Sequence, residues 1–252
     1  MLEELKKELH EFENPEKAKV LRRFFKTGKG QYGEGDVFLG IQVPIQRQIA
    51  KKYLDLNFQE IQELLNSKIH EERLIALIIL TNKYKKANAK DISYFGATKS
   101  KEKDFVGKDN LTRRQIFEFY LLNTSRINNW DLVDLSAPNI VGEFLQKEDT
   151  GILRQLAKSE NIWERRIAMI STYSFIRKRS FGEALAISDI LLKDKHDLIH
   201  KAVGWMLREI GKRNKDVLEL FLSQRHKEMP RTMLRYAIER FPYEERKKWM
   251  GK

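Results

Sequence analysis

Apolar residues recur three and four positions apart along most of the chain, which is the spacing of one face of an α-helix. The run from Glu72 to Tyr84 carries apolar residues on more than one side, so we expect this helix to be covered on several faces. Segments 162–178 and 197–213 share a charged start, a small residue within an apolar run, and a basic end. The pattern predicts an all-α protein.

Three segments repeat one arrangement, in which charged residues precede an apolar run with Ala or Gly in its middle. They begin at Glu72, Glu164 and His200, and the last two lie about 35 residues apart. Two-helix units of that period are typical of an α-solenoid of HEAT-like repeats. We therefore predict a single HEAT-like repeat domain over residues 1–252 with a concave basic face; an irregular helical bundle is the alternative.

Two segments interrupt the helical pattern. Residues 27–40 hold five glycines, and residues 86–111 are polar and rich in lysine. Gly28, Gly30 and Gly33 spell G-x-G-x-x-G, which cradles a pyrophosphate where it follows a β-strand. Here the motif follows a helical pattern, so we interpret it as a conformationally permissive loop between helices.

Charge and composition narrow the chemistry. The net charge of +12 favours a polyanionic partner. The basic residues divide equally at residue 126, so this charge does not come from a basic tail. The absence of Cys excludes disulfides, thiolate nucleophiles and thiolate metal sites. His196 and His200 share a helix face but no third ligand accompanies them, so we predict no metal and no cofactor. A charged N-terminus and the lack of a long apolar run predict a cytoplasmic protein without a membrane segment.

The segment from Asn128 to Asp134 carries the most informative side chains. Asn128 or Asn129 can cap a helix, which places Trp130 and Asp134 one turn apart on the same face. Taken alone, this spacing also fits a core Trp with an Asp at a helix end. Aromatic and basic side chains near Trp163 and Trp205 would add base-stacking and phosphate-binding groups if repeats aligned them in one groove.

Several ordered motifs resemble the AlkD family of DNA alkylation-repair glycosylases. They are Asn-Trp-Asp-Leu-Val-Asp at 129–134, the stretches 162–168 and 201–209, and Phe-Leu-Gly-Ile-Gln-Val-Pro at 38–44. The similarity covers roughly residues 3–240. It implies a HEAT-like solenoid that holds duplex DNA on a basic concave face. It also implies excision of cationic alkylated purines, such as 3-methyladenine and 7-methylguanine, in base excision repair.

The resemblance also implies roles for particular residues. Trp130 and Trp205 would form an aromatic cradle, Asp134 would be the catalytic carboxylate, and Arg166 would bind a phosphate. We expect additional DNA contacts from Phe24, Lys29, Tyr32, Arg165 and Arg208. An alkylated purine is already a cation, so an anionic Asp134 that stabilises the oxocarbenium-like sugar needs no acid, metal or cofactor beside it.

We accordingly expect a monofunctional alkylpurine DNA glycosylase that acts as a monomer on double-stranded DNA, nucleoid-associated in a prokaryote. Two other function classes stay open: a non-catalytic HEAT-like module that binds damaged or branched DNA, and a solenoid that binds an acidic protein. The chain departs from the family at two places. Phe24 and Phe25 stand where the family can carry Tyr, and the glycine-rich insertion at 28–37 is absent from shorter members.

Overall fold

The computed structural model describes residues 1–87 and 112–251. These residues form α-helices joined by turns, with no β-strand among them, so the all-α prediction is confirmed. They divide into two compact units, an N-terminal unit (Met1–Ser136) and a C-terminal unit (Ala137–Lys252). Most of the predicted polar loop 86–111 lies outside the described residues. The single repeat domain over 1–252 and its concave basic face stay predictions.

Polar side chains begin several helices of the N-terminal unit. Asn14 accepts the backbone N–H of Lys17 at the start of α2, and Asn57 forms a reciprocal capping box with Glu60 in α4. Each such cap contributes about 1 kcal/mol to helix stability. The helices of this unit in the described residues are α1 (Leu2–His10), α2 (Pro15–Phe24), α3 (Val43–Lys52), α4 (Phe58–Asn66), α5 (His70–Lys86), α6 (Arg113–Leu122) and α7 (Trp130–Ser136), with a 3-10 turn at Thr124–Arg126.

Helix α5 forms the centre of the N-terminal unit. Every residue from His70 to Thr81 is buried, and the helix packs against α3, α4 and α7. The prediction that this helix is covered on more than one face is therefore confirmed. Its first turn buries charged side chains as well as apolar ones, and buried charges are stable only when they are paired or hydrogen-bonded.

Glu71 on α5 holds the turn that precedes α3. The backbone N–H groups of Leu39, Gly40 and Ile41 donate to its carboxylate at 3.0, 2.9 and 3.3 Å. Gly40 has a φ of +86°, and an added Cβ would lie 2.2 Å from the carbonyl oxygen of Asn14. Only glycine fits there, and the turn is thereby packed closely against the start of α2.

The glycine-rich loop connects α2 to α3, and helices flank it as predicted. Its last part is fastened to the start of α5: the N–H of Val37 donates to the carbonyl of Lys68 at 3.0 Å. The carbonyl of Val37 accepts the N–H of His70 at 2.8 Å. This pairing brings Asp36 to the first turn of α5.

Helix α13 is the centre of the C-terminal unit and packs against its neighbours α10, α14 and α15. A Cβ added to Gly204 would lie 2.5 Å from the carbonyl oxygen of Met233, so this glycine lets α13 and α15 approach closely. Among the described residues, no helix is both long and apolar enough to cross a membrane. The helices of this unit are α8 (Glu143–Leu145), α9 (Gly151–Ala157), α10 (Ile162–Ser171), α11 (Tyr173–Arg177), α12 (Gly182–Ile190), α13 (Asp197–Gly211), α14 (Lys215–Arg225), α15 (Arg231–Ala237) and α16 (Tyr243–Met250), after a π-helical turn at Pro138–Gly142.

Candidate functional site

Trp130 begins helix α7 in the N-terminal unit. Asn129 precedes it, is fully buried, and accepts the backbone N–H of Trp130 on its side-chain Oδ1 at 2.8 Å. Of the two asparagines that the sequence offered at this helix start, Asn129 makes this contact. The indole of Trp130 is half-buried, and so is Asp134 one helical turn farther on.

Phe24 and Phe25 contact the indole directly, and Phe38 and His70 lie against Phe25. We define the aromatic cluster as Phe24, Phe25, Phe38, His70 and Trp130. Trp130 stacks on Phe25 with ring centroids 5.2 Å apart and meets Phe24 edge-on at 5.7 Å. Phe25 stacks on Phe38 at 5.1 Å, and the imidazole of His70 lies 5.0 Å from Phe25 and 4.5 Å from Phe38. Each pair favours one orientation by about 1 kcal/mol, so together they restrict rotation of the indole.

Ionised side chains lie directly beside these rings. We define the charged cluster as Asp36, His70, Arg73 and Asp131. Nδ1 of His70 lies 3.3 Å from Oδ2 of Asp36, and Nε2 lies 2.8 Å from Oδ2 of Asp131. Arg73 approaches the other oxygen of Asp36 at 2.7 Å. Because His70 and Arg73 are almost fully buried, the alternation of cation and carboxylate is what makes their burial tolerable.

The charged cluster shifts the pKa values of His70 and Asp36. Burial alone would lower the pKa of His70, but the charge of Asp131 and hydrogen bonds to Asp131 and Asp36 outweigh it and raise the pKa to about 9. Burial would also raise the pKa of Asp36, yet the hydrogen bond from His70 and the charge of Arg73 hold it below its usual range. At neutral pH, His70 is therefore an imidazolium between carboxylates.

The carboxyl group of Asp134 acts on the phenol of Tyr120. Burial raises the pKa of Tyr120, a hydrogen bond with Ser136 opposes that rise, and the negative charge of Asp134 adds to it. The Tyr120 hydroxyl lies 2.9 Å from Oγ of Ser136. Tyr120 is consequently a neutral phenol at physiological pH, and Asp134 is the residue of this group that reaches partial exposure.

The other residues predicted to touch DNA from the N-terminal unit lie in or beside the glycine-rich loop. Phe24 is 60% exposed even though its edge contacts Trp130. Lys29 is exposed, and Tyr32 is half-buried with its hydroxyl 3.5 Å from the carbonyl oxygen of Phe24. The ammonium of Lys26 lies 6.0 Å from the Tyr32 ring. Phe24 thus offers an open aromatic face next to Trp130.

A cavity of about 390 Å³ opens beside the aromatic cluster, within the N-terminal unit. Phe24, Phe25 and Phe38 line it together with aliphatic side chains. Its lining also includes the polar side chains of Gln46 and Asp131. Within the described part of the chain, neither Oε1 of Gln46 nor Oδ1 of Asp131 has a hydrogen-bond partner. The cavity therefore runs alongside the charged cluster.

Trp205 lies on α13 in the C-terminal unit and is half-buried. Its ring centroid is 6.2 Å from that of Tyr173, and the guanidinium groups of Arg177 and Arg213 lie 5.3 and 5.8 Å from the Tyr173 ring. The sequence did not point to Tyr173, because it meets Trp205 only through the packing of α11 against α13. The Tyr173 ring thus lies between the indole and two cations, and aromatic faces with nearby cations suit a base and its phosphate.

The arginines predicted to bind DNA from the C-terminal unit are engaged inside that unit. Arg166 is 5% exposed and donates to the carbonyl of Leu198 at 2.6 Å. The other two each pair with a carboxylate, Arg165 with Asp194 and Arg208 with Glu239.

Two histidines have structural roles at the start of α13: His196 is its N-cap residue, and His200 lies in its first turn. Nδ1 of His196 accepts the N–H of Leu198 at 3.1 Å, and Nε2 of His200 lies 2.5 Å from the carbonyl oxygen of Asp194. Within residues 1–87 and 112–251, no group of three or more His, Asp or Glu side chains is arranged to hold a metal ion.

The structure groups the predicted residues by unit. Trp130, Asp134, Phe24, Lys29 and Tyr32 belong to the N-terminal unit, and Trp205 with Arg165, Arg166 and Arg208 belongs to the C-terminal unit. A common site formed by both groups stays a prediction. The charged cluster was missed, although Asp131 stands inside the Asn-Trp-Asp motif, because its partner His70 lies 61 residues away along the chain.

Comparison with known proteins identifies the family. The family model described as DNA alkylation repair enzyme matches residues 5–241. A solved structure titled a predicted DNA alkylation repair enzyme, from Enterococcus faecalis, is 17% identical with a TM-score of 0.67, covering 92% of this chain and 97% of that one. AlkD2 from Streptococcus mutans is 18% identical with a TM-score of 0.54, covering 88% and 98%. A second Streptococcus mutans protein, smu.31, is 18% identical with a TM-score of 0.53, covering 80% and 92%.

The structural likenesses, at these identities, show a shared all-α fold. None of the proteins with curated functions matches this chain. The family match stands on its own, because residues 5–241 make up almost the whole of a 252-residue chain. This protein belongs to the DNA alkylation repair enzyme family.

Proposed function

We propose that this protein is a monofunctional DNA glycosylase that hydrolyses the N-glycosidic bond of cationic alkylated purines in duplex DNA. The observation that carries the proposal is a half-buried Trp130, held by Phe25 and Phe24, with the half-exposed carboxylate of Asp134 one turn away. Membership of a DNA alkylation repair family supports DNA as the substrate.

The reaction needs few protein groups. In 3-methyladenine or 7-methylguanine the base already carries a positive charge, so the bond from C1′ to the base nitrogen breaks with both electrons passing to the base. The base leaves neutral, and the sugar becomes an oxocarbenium-like cation. Asp134 stabilises that cation electrostatically, and water adds to C1′ with loss of a proton. A general acid is unnecessary because the leaving group needs no protonation.

Selectivity for damaged bases would come from aromatic faces. A π face attracts a cation more strongly than a neutral base, so Trp130, Phe24 and Trp205 favour the alkylated nucleotide over normal DNA. In this proposal, Arg166 binds a phosphate, and Lys29, Tyr32, Arg165 and Arg208 contact the backbone. A net charge of +12 supports the attraction of a monomer to DNA.

The experiment is release of free 7-methylguanine from methylated duplex DNA. We expect release by the wild type and a rate constant lower by about 100- to 1000-fold for Asp134→Asn, since one electrostatic transition-state contact is lost. Asp216→Asn on α14 is the matched control, because Asp216 is exposed and lies in the other unit. Equal release by Asp134→Asn and the wild type would remove Asp134 from the mechanism.

One observation favours a second function, that of a non-catalytic module that binds damaged or branched DNA. Arg166, the predicted phosphate ligand, is buried and bonded to Leu198. The same assay separates the two functions when it is paired with DNA binding. Binding of alkylated or branched duplexes without release of base by the wild type would support the non-catalytic module.

A further inference from the structure

We propose that His70, as an imidazolium shared between Asp36 and Asp131, is a positioning residue that fixes the first turn of α7 and hence the indole of Trp130. The effect on catalysis rests on the proposed function. The effect on the position of Trp130 does not, and it can be measured without DNA.

The first step of the argument is the hydrogen-bond capacity of the ring. Nδ1 and Nε2 of His70 each face a carboxylate oxygen, at 3.3 and 2.8 Å, and the ring is 2% exposed. A neutral imidazole has one N–H, so one of the two nitrogens would present a lone pair to a carboxylate. An imidazolium donates to both Asp36 and Asp131, and it alone satisfies this geometry.

The second step is where these two carboxylates lead. Asp131 follows Trp130 directly in the first turn of α7. Asp36 lies 3.5 Å from the side-chain nitrogen of Asn129, whose Oδ1 accepts the N–H of Trp130. His70 therefore contacts Asp131, which follows Trp130, and reaches Asn129, which precedes Trp130, through Asp36.

The third step concerns the rings. The imidazolium stacks on Phe38 and lies against Phe25, and Phe25 stacks on the indole of Trp130. A desolvated cation over an aromatic face is attracted to it, so the charge of His70 also holds Phe25 and Phe38. The buried imidazolium of His70 therefore fixes both the backbone and the ring of Trp130.

The charged surroundings make this arrangement dependent on the proton of His70. The groups that face it are Asp36 from the loop, Asp131 from α7 and Arg73 from its own helix. Phe25, the C-cap residue of α2, contributes an uncharged ring. With the pKa of His70 at about 9, the proton is present at neutral pH and is lost as the pH rises through that value.

The experiment follows Trp130 by fluorine NMR of 5-fluorotryptophan-labelled protein, with its resonance assigned by Trp130→Phe. We expect the Trp130 resonance to shift in His70→Gln and in Asp131→Asn, and to titrate in the wild type with the same midpoint as the His70 ring protons. His10→Gln is the matched control, because His10 is exposed and lies outside both clusters. Asp131→Asn removes one carboxylate without removing the histidine, so it serves if His70→Gln does not fold.

The catalytic arm is a single-turnover measurement on methylated duplex DNA. We expect His70→Gln to lower the rate constant by about 10- to 100-fold with little change in the DNA dissociation constant, since displacement of a reacting group costs rate more than binding. A Trp130 resonance that ignores His70 titration and both substitutions would overturn the proposal. So would an unchanged rate constant in a variant whose resonance has shifted, because the shift would then have no catalytic meaning.

The two proposals fail in different ways. If the wild type releases no base, the proposed glycosylase function fails, and the fluorine spectra alone decide whether His70 positions Trp130. If the wild type releases base while the Trp130 resonance is insensitive to His70, the glycosylase function stands and the positioning role is wrong.

Discussion

Gly40 determines whether the turn ahead of α3 can form. Its φ is +86°, and an added Cβ would meet Asn14 at 2.2 Å and the backbone nitrogen of Ala18 at 2.7 Å. We expect Gly40→Ala to lower the free energy of unfolding by at least about 2 kcal/mol, combining left-handed backbone strain with a clash against backbone atoms. Urea denaturation followed by circular dichroism measures this change.

Gly30→Ala is the matched control. Gly30 also has a positive φ, +74°, but an added Cβ would have no neighbour within 4 Å. Only the backbone strain of about 1 kcal/mol applies there. Equal losses for the two variants would show that the close approach to α2 does not matter.

The proton on His70 also gives the stability of the protein a pH dependence. Its pKa is raised from 6.5 to about 9, so its stabilising effect is fully present below pH 6.5 and is lost as the pH rises through about 9. We expect a loss of about 3 kcal/mol in the free energy of unfolding across that range. Urea denaturation at about pH 6 and about pH 10 would show this loss in the wild type and not in His70→Gln. Parallel pH profiles for the two proteins would contradict a buried imidazolium.

Helix α5 acts on the rest of its unit through the side chains of its first turn. Glu71 accepts three backbone N–H groups of the turn before α3. We expect Glu71→Gln to cost about 1 to 3 kcal/mol, since charge-assisted hydrogen bonds to buried donors are lost or weakened. Amide exchange at Leu39, Gly40 and Ile41 should then become faster.

Glu63→Gln is the control for that change. Glu63 is more than half exposed and pairs with Lys6 on the surface, where ion pairs contribute little. Comparable destabilisation by the two substitutions would mean that the loss of any negative charge lowers the free energy of unfolding. The hydrogen bonds of Glu71 to the turn would then have no specific effect.

Sequence periodicity was sufficient to predict elements such as α5, because a long apolar run leaves its spacing in the chain. It was also sufficient to place Trp130 and Asp134 one turn apart on a helix. The contacts of His70 with Asp36 and Asp131 could not be predicted this way, since they join residues 34 and 61 positions apart. The same holds for Arg166: the family resemblance predicts a phosphate ligand, while its hydrogen bond to Leu198 depends on the packing of α10 and α13.

The protein as a whole carries a net charge of +12, with its basic residues divided equally at residue 126. If this charge tracks a DNA backbone, affinity must depend on salt. We expect the association constant for duplex DNA to fall by at least about 100-fold between about 50 and 200 mM salt, the effect of about four neutralised phosphates. Fluorescence anisotropy with a labelled duplex measures it. An affinity that does not change with salt would contradict backbone binding.

The glycine-rich loop is closed by its own contacts, and this has a practical consequence for engineering. Gly33 donates to the carbonyl of Lys26 at 3.1 Å, and Gly30 donates to Glu34 at 2.7 Å, while Val37 is fastened to the start of α5. A fluorophore attached at Lys29 would sit on a self-contained turn, outside the clusters around Trp130. Because the chain has no native cysteine, Lys29→Cys would provide a unique attachment point for a sensor of DNA docking.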